Sequence, residues 1–118
     1  MTEPSQSQPP RPTRPAPAAL ATLLASVDER LHPVEIWLFG SRARGDDTPD
    51  SDWDLLAVLP DDCPDELTDP VVAWEIARES EVPTTLLAAT RGELDAVWGI
   101  PNTVGFDLAR EGVRLVVR

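Results

Sequence analysis

Residues 34–59 read Val34-Glu35-Ile36-Trp37-Leu38-Phe39-Gly40-Ser41-Arg42-Ala43-Arg44-Gly45-Asp46-Asp47-Thr48-Pro49-Asp50-Ser51-Asp52-Trp53-Asp54-Leu55-Leu56-Ala57-Val58-Leu59. The first six residues are β-branched and aromatic, which predicts a strand. Gly40-Ser41 stops it, and Ser41 is placed to cap a short helical turn through Arg42-Ala43-Arg44. Residues 45–51 are turn chemistry throughout. Residues 53–59 are almost wholly apolar, the pattern of a strand buried on both faces. Two strands joined by a basic turn and a polar loop thus form the centre of the expected fold.

Outward from that centre, residues 18–31 carry Leu20, Leu23, Leu24, Val27 and Leu31 at helical spacing, with His32-Pro33 ending the helix. Asp69-Pro70 opens a helix running to about residue 80, whose apolar surface includes Val72, Trp74, Ile76 and Ala77. Residues 84–89 form a third strand. Thr90-Arg91-Gly92-Glu93 is a capping box for a helix reaching Trp98. Residues 102–111 form a last helix closed by Gly112, and residues 113–117 a final strand. Strands interleaved with helices predict an α/β (α+β) class: a small mixed β-sheet with helices on one side. Residues 1–17 hold prolines at 4, 9, 10, 12, 15 and 17 and are expected to be a disordered tail, leaving one domain over residues 18–118. Trp37, Trp53, Trp74 and Trp98 are all expected in the core.

Composition narrows the function classes. The formal net charge of −11 repels polynucleotide phosphate, so stable nucleic-acid binding is not expected, and it suits docking to a basic protein. No apolar run approaches the ~20 residues of a membrane span. One cysteine, Cys63, excludes an internal disulfide, and the acidic loop around it disfavours a thiolate. With no signal-peptide layout at the start, a cytoplasmic location is expected.

The chemistry concentrates at residues 40–54. Glycine lets backbone approach a ligand closely, and a helix start offers free N–H groups to an anion. Ser41 adds a hydroxyl donor, while Arg42 and Arg44 add positive charge, so Gly40, Ser41, Arg42 and Arg44 make a candidate triphosphate cradle. Ten residues after Ser41 comes Asp52, then Asp54. On a strand these two share a face. Their carboxylates would repel unless a divalent cation lay between them, and Mg²⁺ prefers such oxygens.

Phe39-Gly40-Ser41-Arg42-Ala43-Arg44-Gly45 followed by Asp50-Ser51-Asp52-Trp53-Asp54-Leu55-Leu56 resembles the minimal nucleotidyltransferases of the DNA polymerase β superfamily. The likeness extends over residues 18–118, to Asn102-Thr103-Val104-Gly105-Phe106 and Arg110-Glu111-Gly112-Val113. It implies the nucleotidyltransferase fold, with Mg²⁺ as cofactor and a nucleoside triphosphate, usually ATP, as substrate. It implies transfer of a nucleoside monophosphate to a hydroxyl with loss of pyrophosphate. By the same resemblance Gly40 and Ser41 bind triphosphate, and Asp52 and Asp54 are the catalytic metal ligands. Many such proteins act as antitoxins of HEPN-domain toxins, by binding, by adding AMP to the toxin, or both. The superfamily also uses a third carboxylate on the next strand, ahead of an apolar run ending in threonine. Here that run is Leu86-Leu87-Ala88-Ala89-Thr90, so the position falls on Thr85, with Glu81 as a displaced alternative. Two readings stay open: an active transferase toward a partner protein, or a catalytically impaired module acting by binding alone.

Overall fold

The computed structural model describes residues 11–116. Its elements are β1 (Thr13–Pro15), a 3₁₀ turn (Ala18–Leu20), α1 (Ala21–Leu31), β2 (Glu35–Phe39), α2 (Ser41–Arg44), β3 (Trp53–Leu59) and a second 3₁₀ turn (Asp65–Thr68). There follow α3 (Pro70–Arg78), β4 (Thr84–Thr90), α4 (Arg91–Val97), α5 (Val104–Glu111) and β5 (Val113–Val116). The strands make one mixed sheet in the order β1-β5-β2-β3-β4. β2 runs antiparallel to both β3 and β5, while β3 and β4 are parallel, as are β1 and β5.

Alternation along the strands splits the core into two layers. Ile36 and Leu38 of β2, with Leu55, Ala57 and Leu59 of β3, pack against Leu20, Leu24, Val27 and Leu31 around α1 and Ala73 and Ile76 of α3. Trp37, Leu56 and Val58 point the other way, onto Leu94 of α4 and Leu108 of α5. Residues Leu55 to Leu59 are all buried, because both faces of β3 are covered. Helices therefore lie on both faces, not on one as the alternation of elements suggested. α4 and α5 are too short to cover their layer completely, and the end of that face carrying Asp54 and Thr85 stays open. Asp69 caps α3 by accepting from Val71 N–H at 2.9 Å, and the Thr90–Glu93 capping box of α4 is present.

Two further expectations are corrected. Thr13–Pro15 is not a tail: it pairs in register with Arg114 to Val116 of β5, and Arg114 N–H donates to Pro12 O at 3.0 Å. Proline is compatible with a sheet edge because its missing donor faces no neighbour. Residues 1–10 lie outside the described residues. Trp74 is 59% exposed, because Ala73 and Ile76 form the inward stripe of α3 and Trp74 falls outside it, under the Arg78 guanidinium. Gly112 closes α5 as expected: it is the C-cap and donates its N–H to Leu108 O at 2.9 Å, with an extended backbone that leads straight into β5.

Candidate functional site

The candidate site lies where β2 ends and β3 begins. Gly40 follows β2 with φ 78° and ψ −161°, a backbone region that in practice only glycine occupies. It is also the N-cap of α2, so Ser41 is the first helical residue and not the cap. A second constraint acts on Gly40: a Cβ there would overlap Asp54 Oδ2 and lie 3.1 Å from Asp54 Cγ. The turn and the carboxylate are thus in direct apposition, for which the sequence supplies the one residue without a side chain.

Register fixes the rest of the row. Asp54 is paired with Phe39 on one side and with Thr85 on the other. Paired residues in adjacent strands project to the same face. Phe39, Asp54 and Thr85 therefore stand side by side on the open face, and Thr85 is at the position beside Asp54 where the third acid was expected. Glu81 is exposed in the connection before β4, three residues short of that strand's start. Asp52 sits one residue before β3 and is exposed. Burial pushes the Asp54 carboxyl above its ordinary value, and the negative charges of Asp52, Glu111 and Asp107 push it further, against the pull of Arg44. Paired oxygen donors of this kind, short of positive charge, fit a divalent cation bridged to phosphate. Among the described residues no three His, Cys, Asp or Glu side chains converge as a metal-holding group.

The two arginines are engaged differently. Arg42 donates to Ser51 O at 2.9 Å, to Pro49 O at 3.3 Å and to Asp47 Oδ2 at 3.0 Å, and its guanidinium lies 4.3 Å from the centre of the Trp53 ring. Expected to face a triphosphate, it instead clamps the loop that delivers Asp52. Trp53 itself turns to the α1–α3 side, away from the two aspartates, and is partly buried against that core as expected. Arg44 pairs with Asp46 at 3.1 Å and with Glu111 at 3.2 Å. Those two carboxylates, Asp46 foremost, raise the Arg44 guanidinium above its ordinary value.

Sequence reasoning missed the contribution of α5. Glu111 Oε2 accepts the Gly40 N–H at 2.7 Å while binding Arg44, so the last residue of α5 locks the glycine turn. One turn earlier, Asp107 lines a groove of about 720 Å³ with Phe39, Leu87 and Phe106. The signal available was the spacing Asp107–Glu111, which puts both carboxylates on one helix face. Cys63 matches its expectation: burial, with Asp62 and Asp65, pushes the thiol above its ordinary value.

With that geometry in view, the comparisons with known proteins are specific. The nucleotidyltransferase domain family model matches residues 20–99, more than half of the chain. The chain belongs to the nucleotidyltransferase domain family. Its fold is similar to that of a chain in the crystal structure of a toxin–antitoxin with AMP-PNP. That match has a TM-score of 0.53 at 18% identity and covers 83% of this chain and 73% of the other. A Sulfolobus solfataricus protein named as a nucleotidyltransferase aligns at 26% identity with a TM-score of 0.47, covering 66% of this chain and 69% of its own. No curated protein sequence matches the chain. The family match ends before α5, so Asp107 and Glu111 lie outside it. Among the described residues no helix is long and apolar enough to cross a membrane.

Proposed function

We propose that this chain transfers AMP from Mg-ATP to a hydroxyl of a partner protein, as the antitoxin-type half of a pair whose toxin is a HEPN-domain protein. The observation that carries the reading is the apposition of the Gly40 turn with Asp54, next to Asp52. Asp52 and Asp54 would hold Mg²⁺, which supplies the positive charge a triphosphate and a carboxylate pair need to share one site. Gly40 keeps that space clear of side chain. Ser41, at the start of α2, offers a hydroxyl and backbone N–H to phosphate oxygens. Arg42 sets the loop carrying Asp52, and Glu111 with Arg44 sets the turn from the opposite side.

A protein partner is supported by the net charge of −11, by the resemblance to antitoxins, and by a fold shared with a chain of a toxin–antitoxin structure. Purified protein incubated with α-labelled ATP, Mg²⁺ and the HEPN partner is expected to label the partner. Absence of label with intact, folded protein at every nucleotide tried would remove the transfer reading.

A second reading, neutralisation by binding alone, is favoured by Thr85 standing where an acid is expected. An Asp52→Asn/Asp54→Asn variant separates the two. Retained neutralisation supports binding alone; lost neutralisation with unchanged partner binding supports transfer.

A further inference from the structure

We propose that Asp107 of α5 is the general base of the transfer, in place of an acid on β4; the inference rests on the AMP-transfer reading above. Thr85 is beside Asp54 in the sheet, and a neutral hydroxyl cannot accept a proton at neutral pH. Among the described residues, and apart from the Asp52–Asp54 pair, Asp107 is a carboxylate free to do so. Asp107 lines a groove together with Phe39, Leu87, Asn102, Thr103 and Phe106. Phe39 is the register partner of Asp54, and Leu87 follows Thr85 by two residues on the same side of β4.

Glu111, four residues after Asp107, is bonded to the Gly40 N–H, which brings this face of α5 to the site. Glu111 is committed to that bond and to Arg44. Asp107 is partly buried and makes no hydrogen bond or ion pair with another described residue, so its oxygens are available to an acceptor in the groove. Its charge is felt at Asp54, which agrees with the placement.

The step balances as follows. The acceptor oxygen forms a bond to the α-phosphorus of ATP while its proton passes to Asp107. The bond from the α-phosphorus to the bridging oxygen breaks, and pyrophosphate leaves with that oxygen. The groove admits the acceptor from the side of α5.

The test uses the full chain, α-labelled ATP and Mg²⁺, with water as the acceptor and labelled AMP as the product. Asp107→Asn is expected to slow AMP formation by about 10²–10⁴-fold. Its affinity for Mg-ATP by calorimetry is expected to stay within about twofold of wild type, since uniform binding is untouched. Asp107→Glu keeps the charge at the start of α5 and displaces the carboxylate; it is expected to lose about 10–100-fold. Thr85→Asp added to Asp107→Asn is expected to restore part of the rate.

Wild-type rate in Asp107→Asn overturns the proposal and leaves the transfer reading standing. So does loss of Mg-ATP affinity by about tenfold or more, which would make Asp107 a nucleotide-site ligand. A lower melting temperature with an unchanged rate per folded molecule would reduce Asp107 to a helix-end charge and equally overturns it. Wild type that yields neither AMP nor labelled partner overturns the transfer reading together with this inference.

Discussion

Replacing Gly40 by alanine perturbs the site at its tightest point. Two costs act together. The backbone at φ 78°, ψ −161° is a region in which an L side chain costs about 1–3 kcal/mol. The new Cβ also overlaps Asp54 Oδ2, with Asp54 Cγ at 3.1 Å and Cβ at 3.3 Å, so the turn or the strand must shift. Overpacking of this kind adds about 1–3 kcal/mol. The sum, roughly 2–6 kcal/mol, is a large part of the ~5–15 kcal/mol that stabilises a domain. At about 4–8 °C per kcal/mol, Gly40→Ala is expected to lower the melting temperature by at least ~8 °C. Gly45→Ala is the control: Gly45 also has positive φ, 88°, but its Cβ would meet nothing within 4 Å, so only about 1–2 kcal/mol is lost. Circular dichroism melts of both variants decide the matter. Adding Asp54→Ala to Gly40→Ala is expected to recover the overlap cost and leave the backbone cost. Equal melting temperatures for Gly40→Ala and Gly45→Ala would refute the close-approach reasoning.

Further outcomes follow from the same contacts. Arg42→Ala removes the clamp on residues 47–51 and the contact with Trp53 and is expected to cost about 1–3 kcal/mol in urea unfolding; Arg42→Lys should not recover it, since an ammonium cannot span the same acceptors. Asp54 has its carboxyl raised above the ordinary 3.8, so the native state holds this proton more tightly than the unfolded chain. Its contribution is therefore most favourable at low pH and is lost as pH rises from about 3.8 through the raised value. In metal-free buffer Asp54→Asn is expected to melt at or above wild type at pH 7, with the gap closing toward pH 3; a variant clearly less stable at pH 7 would contradict this. Deleting residues 1–17 removes β1 and the Arg11 bonds to Gly112 O and Arg110 O, and is expected to cost about 1–3 kcal/mol, measurable as a lower urea midpoint.

The centre of the fold was legible because β2 and β3 carry their own punctuation. An apolar run stopped by Gly40-Ser41, and a second run apolar at every position from Leu55, leave few alternatives to paired buried strands. The face that Asp54 takes was legible for the same reason, since period-2 geometry needs no tertiary information, whereas Asp52 stands one residue before β3. Thr85 was also located correctly beside Asp54, because the parallel register follows from matching the apolar run of β4 to that of β3.

What escaped depends on contacts between distant residues. β1 is held by β5, a hundred residues later, and no local pattern marks a proline-rich triplet as an edge strand. Arg42 carries the charge of a phosphate ligand, and only the folded loop shows its donors already taken by Ser51, Pro49 and Asp47. Glu111 reads locally as a helix-end acid. Its bond to Gly40 spans 71 positions. Trp74 was assigned by hydrophobicity, whereas the inward stripe of α3 is set by Ala73 and Ile76.

The central claim is that the Gly40 turn and the Asp52–Asp54 pair together form a metal-dependent nucleotide site. Calorimetric titration of ATP into the wild-type chain, with Mg²⁺ and then with EDTA, tests it directly beside the Asp52→Asn/Asp54→Asn variant. The expected result is binding that requires Mg²⁺ and weakens by at least about tenfold, ~1.4 kcal/mol, in the variant. ATP affinity that is the same with EDTA and the same in the variant would contradict the account.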